Sequence, residues 1–187
     1  RIYAVGDVHG CDALFAALIA AIEADDAAAP LAYTTVILLG DLVDRGPDSA
    51  GVVARARSWS AERAVRIIGG NHEELFLESF ANEHALRNFL RYGGRETILS
   101  YPVDAQTFRS AGFDEARELA RQAIPAEDLA FLHGLEDSVT IGDYLFVHAG
   151  ILPDVPIEEQ VTRDLRWIRE PFLSHRGDHG HCVVHGH

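Results

Sequence analysis

Asp7, His9, Asp41, Asp44, Arg45, Asn71, His72, His148 and His187 each follow closely on a short apolar run. Carboxylate oxygens, an amide oxygen and imidazole nitrogens in one set match borderline divalent cations such as manganese, iron or zinc. They match neither calcium nor a thiolate zinc site. Two ions fit better than one, because a pair roughly 3.5–4 Å apart needs a shared carboxylate and can both activate water and neutralise a phosphate. Asp7 and His9, two apart at the end of an extended strand, point the same way and can chelate one ion together. His72 lies next to Asn71, so if the asparagine ligates, the imidazole can face a substrate as general acid. Asp44 is the candidate carboxylate to orient that ring and favour its protonated form. Arg45 offers a planar fork of donors for phosphate oxygens.

These residues need a scaffold that brings distant segments together. Residues 2–5, 36–39, 65–68, 144–147 and 182–184 are rich in Val, Ile and Leu, and each runs into a glycine-containing polar cluster, the pattern of buried strands. Helical stretches separate the first three: an Ala-rich one at 12–25, with Leu14, Leu18 and Ile22 on one face, and one opened by Pro47-Asp48-Ser49 and running to Trp59. Strands alternating with helices imply an α/β sheet, whose ligand sites gather beyond the carboxyl ends of its strands. All five polar clusters fall there. From 74 to 135 the sequence reads as a helical insert or cap beside the site, interrupted at Tyr92-Gly93-Gly94-Arg95 and restarted at Pro125-Ala126-Glu127.

At 187 residues and 48% hydrophobic content, the expectation is one domain over 1–187. No apolar run is long enough for a membrane span, and Cys11 and Cys182 make neither a disulfide framework nor a CxxC zinc pattern, so the expected location is cytoplasmic. A formal net charge of −13 argues against nucleic-acid binding, which needs clustered Lys and Arg. The chain has no Met and stops on His187 inside a motif, so it is expected to be an excerpt truncated at its C-terminus. His84, His133, His175, His179, His181 and His185 lie off the site pattern and read as structural. Glu73 and Glu74 read as capping or solvating a helix after Asn71-His72, and Cys11 as packing.

Gly-Asp-Val-His-Gly at 6–10, Gly-Asp-Leu-Val-Asp-Arg-Gly at 40–46 and Gly-Asn-His-Glu at 70–73 resemble, in that order, the signature of the calcineurin-like metallophosphoesterases. Within them the chain looks like the phosphoprotein phosphatase branch, especially its bacterial and phage members. Val147-His148-Ala149-Gly150 and Val184-His185-Gly186-His187 are similar to the two later histidine motifs, so the resemblance covers nearly the whole chain.

The resemblance implies an α/β fold: a two-sheet β-sandwich flanked by helices. It implies that Asp7 and His9 bind a first metal, that Asp41 bridges, and that Asn71, His148 and His187 complete a second. It implies His72 as an acid paired with Asp44, Arg45 as a phosphate clamp, and Arg169, in Trp167-Ile168-Arg169-Glu170, as a second phosphate-binding arginine. The expected cofactors are two divalent cations, manganese ahead of iron or zinc. The expected reaction is hydrolysis of phosphate monoesters by direct attack of a metal-bridging hydroxide, with no covalent phosphoenzyme. A serine/threonine phosphoprotein is the first expected substrate. The alternative is a small phosphorylated molecule, for example diadenosine tetraphosphate cleaved symmetrically. A third reading, an inactive phosphate-binding module, predicts lost ligands, yet every motif position is filled.

Overall fold

The computed structural model describes residues 1–187. Strands β1 (Ile2–Val5), β2 (Thr35–Leu38) and β3 (Val65–Ile67) form a parallel sheet in that order, with Ile2 opposite Thr35 and Val36 opposite Val65. Val36, Ile37 and Leu38 of the central strand are fully buried, which is why that strand reads as a continuous apolar run. Parallel strands require crossovers. Helices α1 (Asp12–Ala28) and α2 (Ser49–Glu62) supply them, and Asp48 caps α2 by accepting the Gly51 N–H at 2.8 Å.

The face that α1 buries differs from the expected one. Leu14 and Leu18 are 73% and 41% exposed, whereas Phe15 and Ile22 are buried with Ile19 packed beside them. The stripe 15-19-22 follows helical spacing as well as 14-18-22 does, and it brings a phenyl ring against Trp59 of α2.

The second sheet contains β4 (Ser138–Ile141), β5 (Tyr144–Val147) and β6 (Cys182–Val184). β4 and β5 form an antiparallel hairpin, and β6 lies parallel to β5. The motif pattern did not mark β4, since no polar site cluster follows it. The sheets meet through Ile37, Leu39 and Ile68 on one side and Val139 and Phe146 on the other. Helix α3 (Asn71–Glu78) begins at Asn71 itself, so Asn71 and His72 lie on its first turn rather than ahead of it. Helices α4 (Glu83–Phe89), α5 (Arg95–Ser100), α6 (Ala105–Ser110), α7 (Phe113–Ala123) and α8 (Ala126–His133) follow.

A π-helical turn at Leu90–Gly94 joins α4 to α5, and Gly93 there takes a φ of 103° that side-chain-bearing residues rarely adopt. Phe76, Phe89 and Ile98 extend the core that α1 and α2 share with the first sheet. Helix α9 (Thr162–Trp167) places Leu165 on the outer face of the second sheet, against Leu145 and Val147. The architecture is two small sheets flanked by helices. No helix is long and apolar enough to cross a membrane.

Candidate metal centre

The ends of β1, β2, β3 and β5, with the turn after β6, converge on Asp41. Its carboxylate Oδ1 is 3.4 Å from His148 Nε2, and Oδ2 is 3.6 Å from His9 Nε2. Asp7 Oδ2 lies 4.0 Å from His9 Nε2. Asn71 Oδ1 is 2.9 Å from both His148 Nε2 and His187 Nδ1. Two groups of donor atoms, His9-Asp41-His72 and Asp41-His148-His187, are each compact enough for one cation, and Asp41 belongs to both.

Tautomers follow from the partners. A carbonyl only accepts, so His9 Nδ1 donates to Val43 O at 2.9 Å and His148 Nδ1 to Leu39 O at 2.7 Å. On each neutral ring the Nε2 lone pair then faces inward, the orientation a ligating histidine takes. At His148 that lone pair meets the oxygens of Asn71 and Asp41. With Asp41 ionised these acceptors converge without a hydrogen between them and repel one another, and a cation turns that repulsion into coordination.

Electrostatics point the same way. Burial, followed by the neighbouring Glu73 carboxylate, pushes the Asp41 carboxyl from its ordinary 3.8 up to about 8. Burial lowers His9 and His148, and burial followed by His148 lowers His187 to about 4, so these rings favour the neutral, ligating form. The donor set therefore fits divalent cations.

Backbone geometry at the site is unusual. His9, Asp41, Asp44, Arg45 and His187 all have positive φ, and Asp154 is the only other non-glycine residue that does. Such conformations cost on the order of 1–3 kcal/mol each and need surrounding structure to hold them. Here the first two motif loops are tied together: Val8 N–H and His9 N–H both donate to Asp41 O, at 3.0 and 2.8 Å, and Gly10 N–H donates to Leu42 O at 2.8 Å. A Cβ at Gly70 would strike the Asp41 carboxylate, which explains a glycine immediately before Asn71.

Beside this cluster, His72 Nδ1 donates to Asp44 Oδ2 at 2.6 Å, and the pair is almost completely buried. Burial holds the Asp44 carboxyl above its usual range, against hydrogen bonds from His72 and Thr97. Arg45 reaches His9 Nε2 at 2.8 Å and His72 Nε2 at 2.9 Å. Arg169 opens onto the same cavity, which measures about 260 Å³ and is lined also by Asp7, Asn71, Tyr92 and Trp167. Every side chain singled out from the motifs thus lies in or beside one pocket.

Sequence reasoning missed four supports. Glu73, expected to cap a helix, does accept the Gly70 N–H at 2.8 Å. Its carboxylate also takes the N–H groups of Asp41, Leu42 and Val43, at 2.8, 2.7 and 3.2 Å, and so locks the second motif loop to the third. The third-position glutamate of a helix signals a cap, but nothing local signals the long-range role. Glu74, expected to cap or solvate the same helix, instead bonds Arg166 and Trp167. Thr97 of α5 donates to Asp44 Oδ1 at 2.6 Å and Ser49 accepts the Asp44 N–H at 3.1 Å, neither carrying a motif. Glu73→Ala strands buried N–H groups and is expected to destabilise the fold by about 3–4 kcal/mol, read as a fall in the urea midpoint. A midpoint within error of the parent chain would show that the loops hold without it.

A model of the calcineurin-like phosphoesterase family matches residues 1–187. The chain belongs to this family of metal-dependent hydrolases. It is 35% identical over 161 residues to a symmetrical bis(5'-nucleosyl)-tetraphosphatase of Acidovorax sp. (strain JS42), covering 86% of this chain and 48% of that protein. It is 36% identical over 181 residues to serine/threonine-protein phosphatase 1 of Salmonella typhimurium (strain LT2), covering 95% of this chain and 72% of that one. A crystal structure provisionally described as a diadenosine tetraphosphatase superposes with a TM-score of 0.54 at 25% identity, covering 86% of this chain and 55% of that one. The chain thus spans about half the length of the tetraphosphatase relative.

Proposed function

We propose that the protein hydrolyses dinucleoside tetraphosphates symmetrically, using a cation pair held by Asp7, His9, Asp41, Asn71, His148 and His187. The observation that carries this reading is the composition of the pocket: two guanidiniums, Arg45 and Arg169, and two aromatic side chains, Tyr92 and Trp167, surround the cation-binding carboxylates. Guanidiniums suit a polyphosphate and aromatic faces suit a base. The names of the tetraphosphatase relatives support the same reading, and they move it ahead of the phosphoprotein that the motifs alone put first.

When bound, the cations would supply Lewis acidity that activates water and offsets phosphate charge. Arg45 and Arg169 would hold phosphate oxygens. His72, with Asp44 holding Nδ1, would deliver a proton from Nε2 to the departing oxygen. The oxygen of water bonds to phosphorus, the bridging P–O bond breaks, and two nucleoside diphosphates leave. The local positive focus lets a chain of net charge −13 accept an anion.

With Mn²⁺ and diadenosine tetraphosphate, ADP is the expected sole nucleotide product, and in ¹⁸O-water one label per turnover enters ADP. ATP with AMP would contradict symmetrical cleavage. Label missing from product in a single turnover would contradict direct attack. A second reading, a protein phosphatase, is favoured by the Salmonella relative, of which the chain covers the larger share. It predicts a higher kcat/KM on phosphopeptides than on the dinucleotide.

A further inference from the structure

A dinucleoside tetraphosphate is larger than the pocket over Asp41. That pocket, at about 260 Å³, is smaller than the roughly 300–1,000 Å³ typical for burying a drug-sized ligand, and it must also hold the cations. The nucleoside ends of the substrate therefore need space elsewhere.

A larger groove of about 710 Å³ adjoins the pocket, and Leu75 and Trp167 line both. Its remaining walls come from α3, α4 and α9 and include Glu74, Glu78, Asn88 and Arg163. Trp167 is the partition, and its indole is braced: Nε1–H donates to Glu74 Oε1 at 3.1 Å, while Arg166 holds Glu74 Oε2 at 3.2 Å. Glu74 is thereby committed within the protein. The side chains of Glu78 and Asn88 make no hydrogen bond or ion pair in the chain and face the groove free.

We propose that this groove is a nucleoside subsite. The inference rests on the dinucleoside reading above. The chemistry of the walls separates the two ends of such a substrate. A carboxylate at Glu78 offsets the charge that Arg163 brings to the same groove and accepts hydrogen bonds from ribose hydroxyls or an exocyclic amine. The Asn88 carboxamide both donates and accepts, as a base edge requires. The indole between the two spaces offers a stacking face where the nucleoside leaves the phosphates. The tetraphosphate stays on the Arg45 and Arg169 side, and one nucleoside passes over Trp167 to Glu78 and Asn88.

The test is the double variant Glu78→Ala/Asn88→Ala in the full chain with Mn²⁺, assayed on diadenosine tetraphosphate and on two probes without a nucleoside, p-nitrophenyl phosphate and tripolyphosphate. Two lost hydrogen bonds at the weaker end of the ordinary range correspond to roughly a tenfold loss. The ratio of kcat/KM on the dinucleotide to that on p-nitrophenyl phosphate is expected to fall about tenfold, through KM, and the ratio to tripolyphosphate likewise. If the parent chain cleaves the dinucleotide and the variant keeps both ratios within twofold, the subsite is wrong while the dinucleoside reading stands. If the parent chain does not cleave the dinucleotide, both fall. With a phosphoserine peptide assayed alongside, a loss confined to the peptide would assign the groove to peptide and overturn the proposal.

Discussion

Asp41→Asn is expected to lower turnover at least about a thousandfold while making the metal-free protein more stable at pH 8. Asp41 stands between His9 and His148 and is the one residue shared by both donor groups, so losing its charge should weaken both cation positions. The stability half follows from linkage. A carboxyl with an ordinary value of 3.8, raised to about 8 in the folded chain, binds protons more tightly folded than unfolded. Its contribution therefore leaves the folded state intact below about pH 4 and penalises it progressively as pH rises through 8. Asparagine carries no charge to desolvate, and its Oδ1 can still accept the His72 N–H that Asp41 Oδ1 accepts at 3.1 Å.

Thermal melts of the two metal-free proteins should coincide near pH 4 and diverge towards pH 8, the variant melting higher. Added Mn²⁺ should raise the Tm of the parent chain and leave the variant nearly unmoved, because a cation stabilises only the state that binds it. A variant that kept the full metal-induced shift would remove Asp41 from the centre of the site.

His72→Asn is expected to reduce kcat on an alkyl phosphate such as a phosphoserine peptide, whose alkoxide departs poorly without a proton, by about 10²–10⁴-fold, the range general acid catalysis supplies. The loss on p-nitrophenyl phosphate should be much smaller, since p-nitrophenolate departs without needing a proton. His72 also lies within donor distance of His9 and Asp41, so a ligand role must be separated from an acid role. The metal-induced Tm shift does so: an acid leaves it intact, a ligand does not. Asp44→Asn should repeat the leaving-group pattern, because it weakens the buried hydrogen bond that orients Nδ1. Equal losses on both substrates would show that His72 does something other than protonate the leaving group.

The strand-end clusters were legible because their causes are local. A buried strand must be apolar, and a polar cluster with glycine directly after it has few structural uses. Hence β1, β2, β3, β5 and β6 and the candidate residues that follow them were legible in the sequence, and the helix starts at Asp12 and Ala126 carried their own signals. Strand β4 had no such marker. The buried face of α1 was misjudged because two helical stripes fit the same spacing, and only the partner surface chose Phe15 over Leu14.

Residue identity and spacing by themselves determined the donor set, its order along the chain and the family it belongs to. Tertiary structure alone decided how that set is brought together and held. It placed Glu73 under the second motif loop, Thr97 on Asp44, and Gly93 O against the Arg45 N–H at 3.2 Å. It also buried Asp41 beside Glu73. These links join segments far apart in sequence, and hydrogen bonding and desolvation depend on distance in space, so no local pattern of residues could have encoded them visibly.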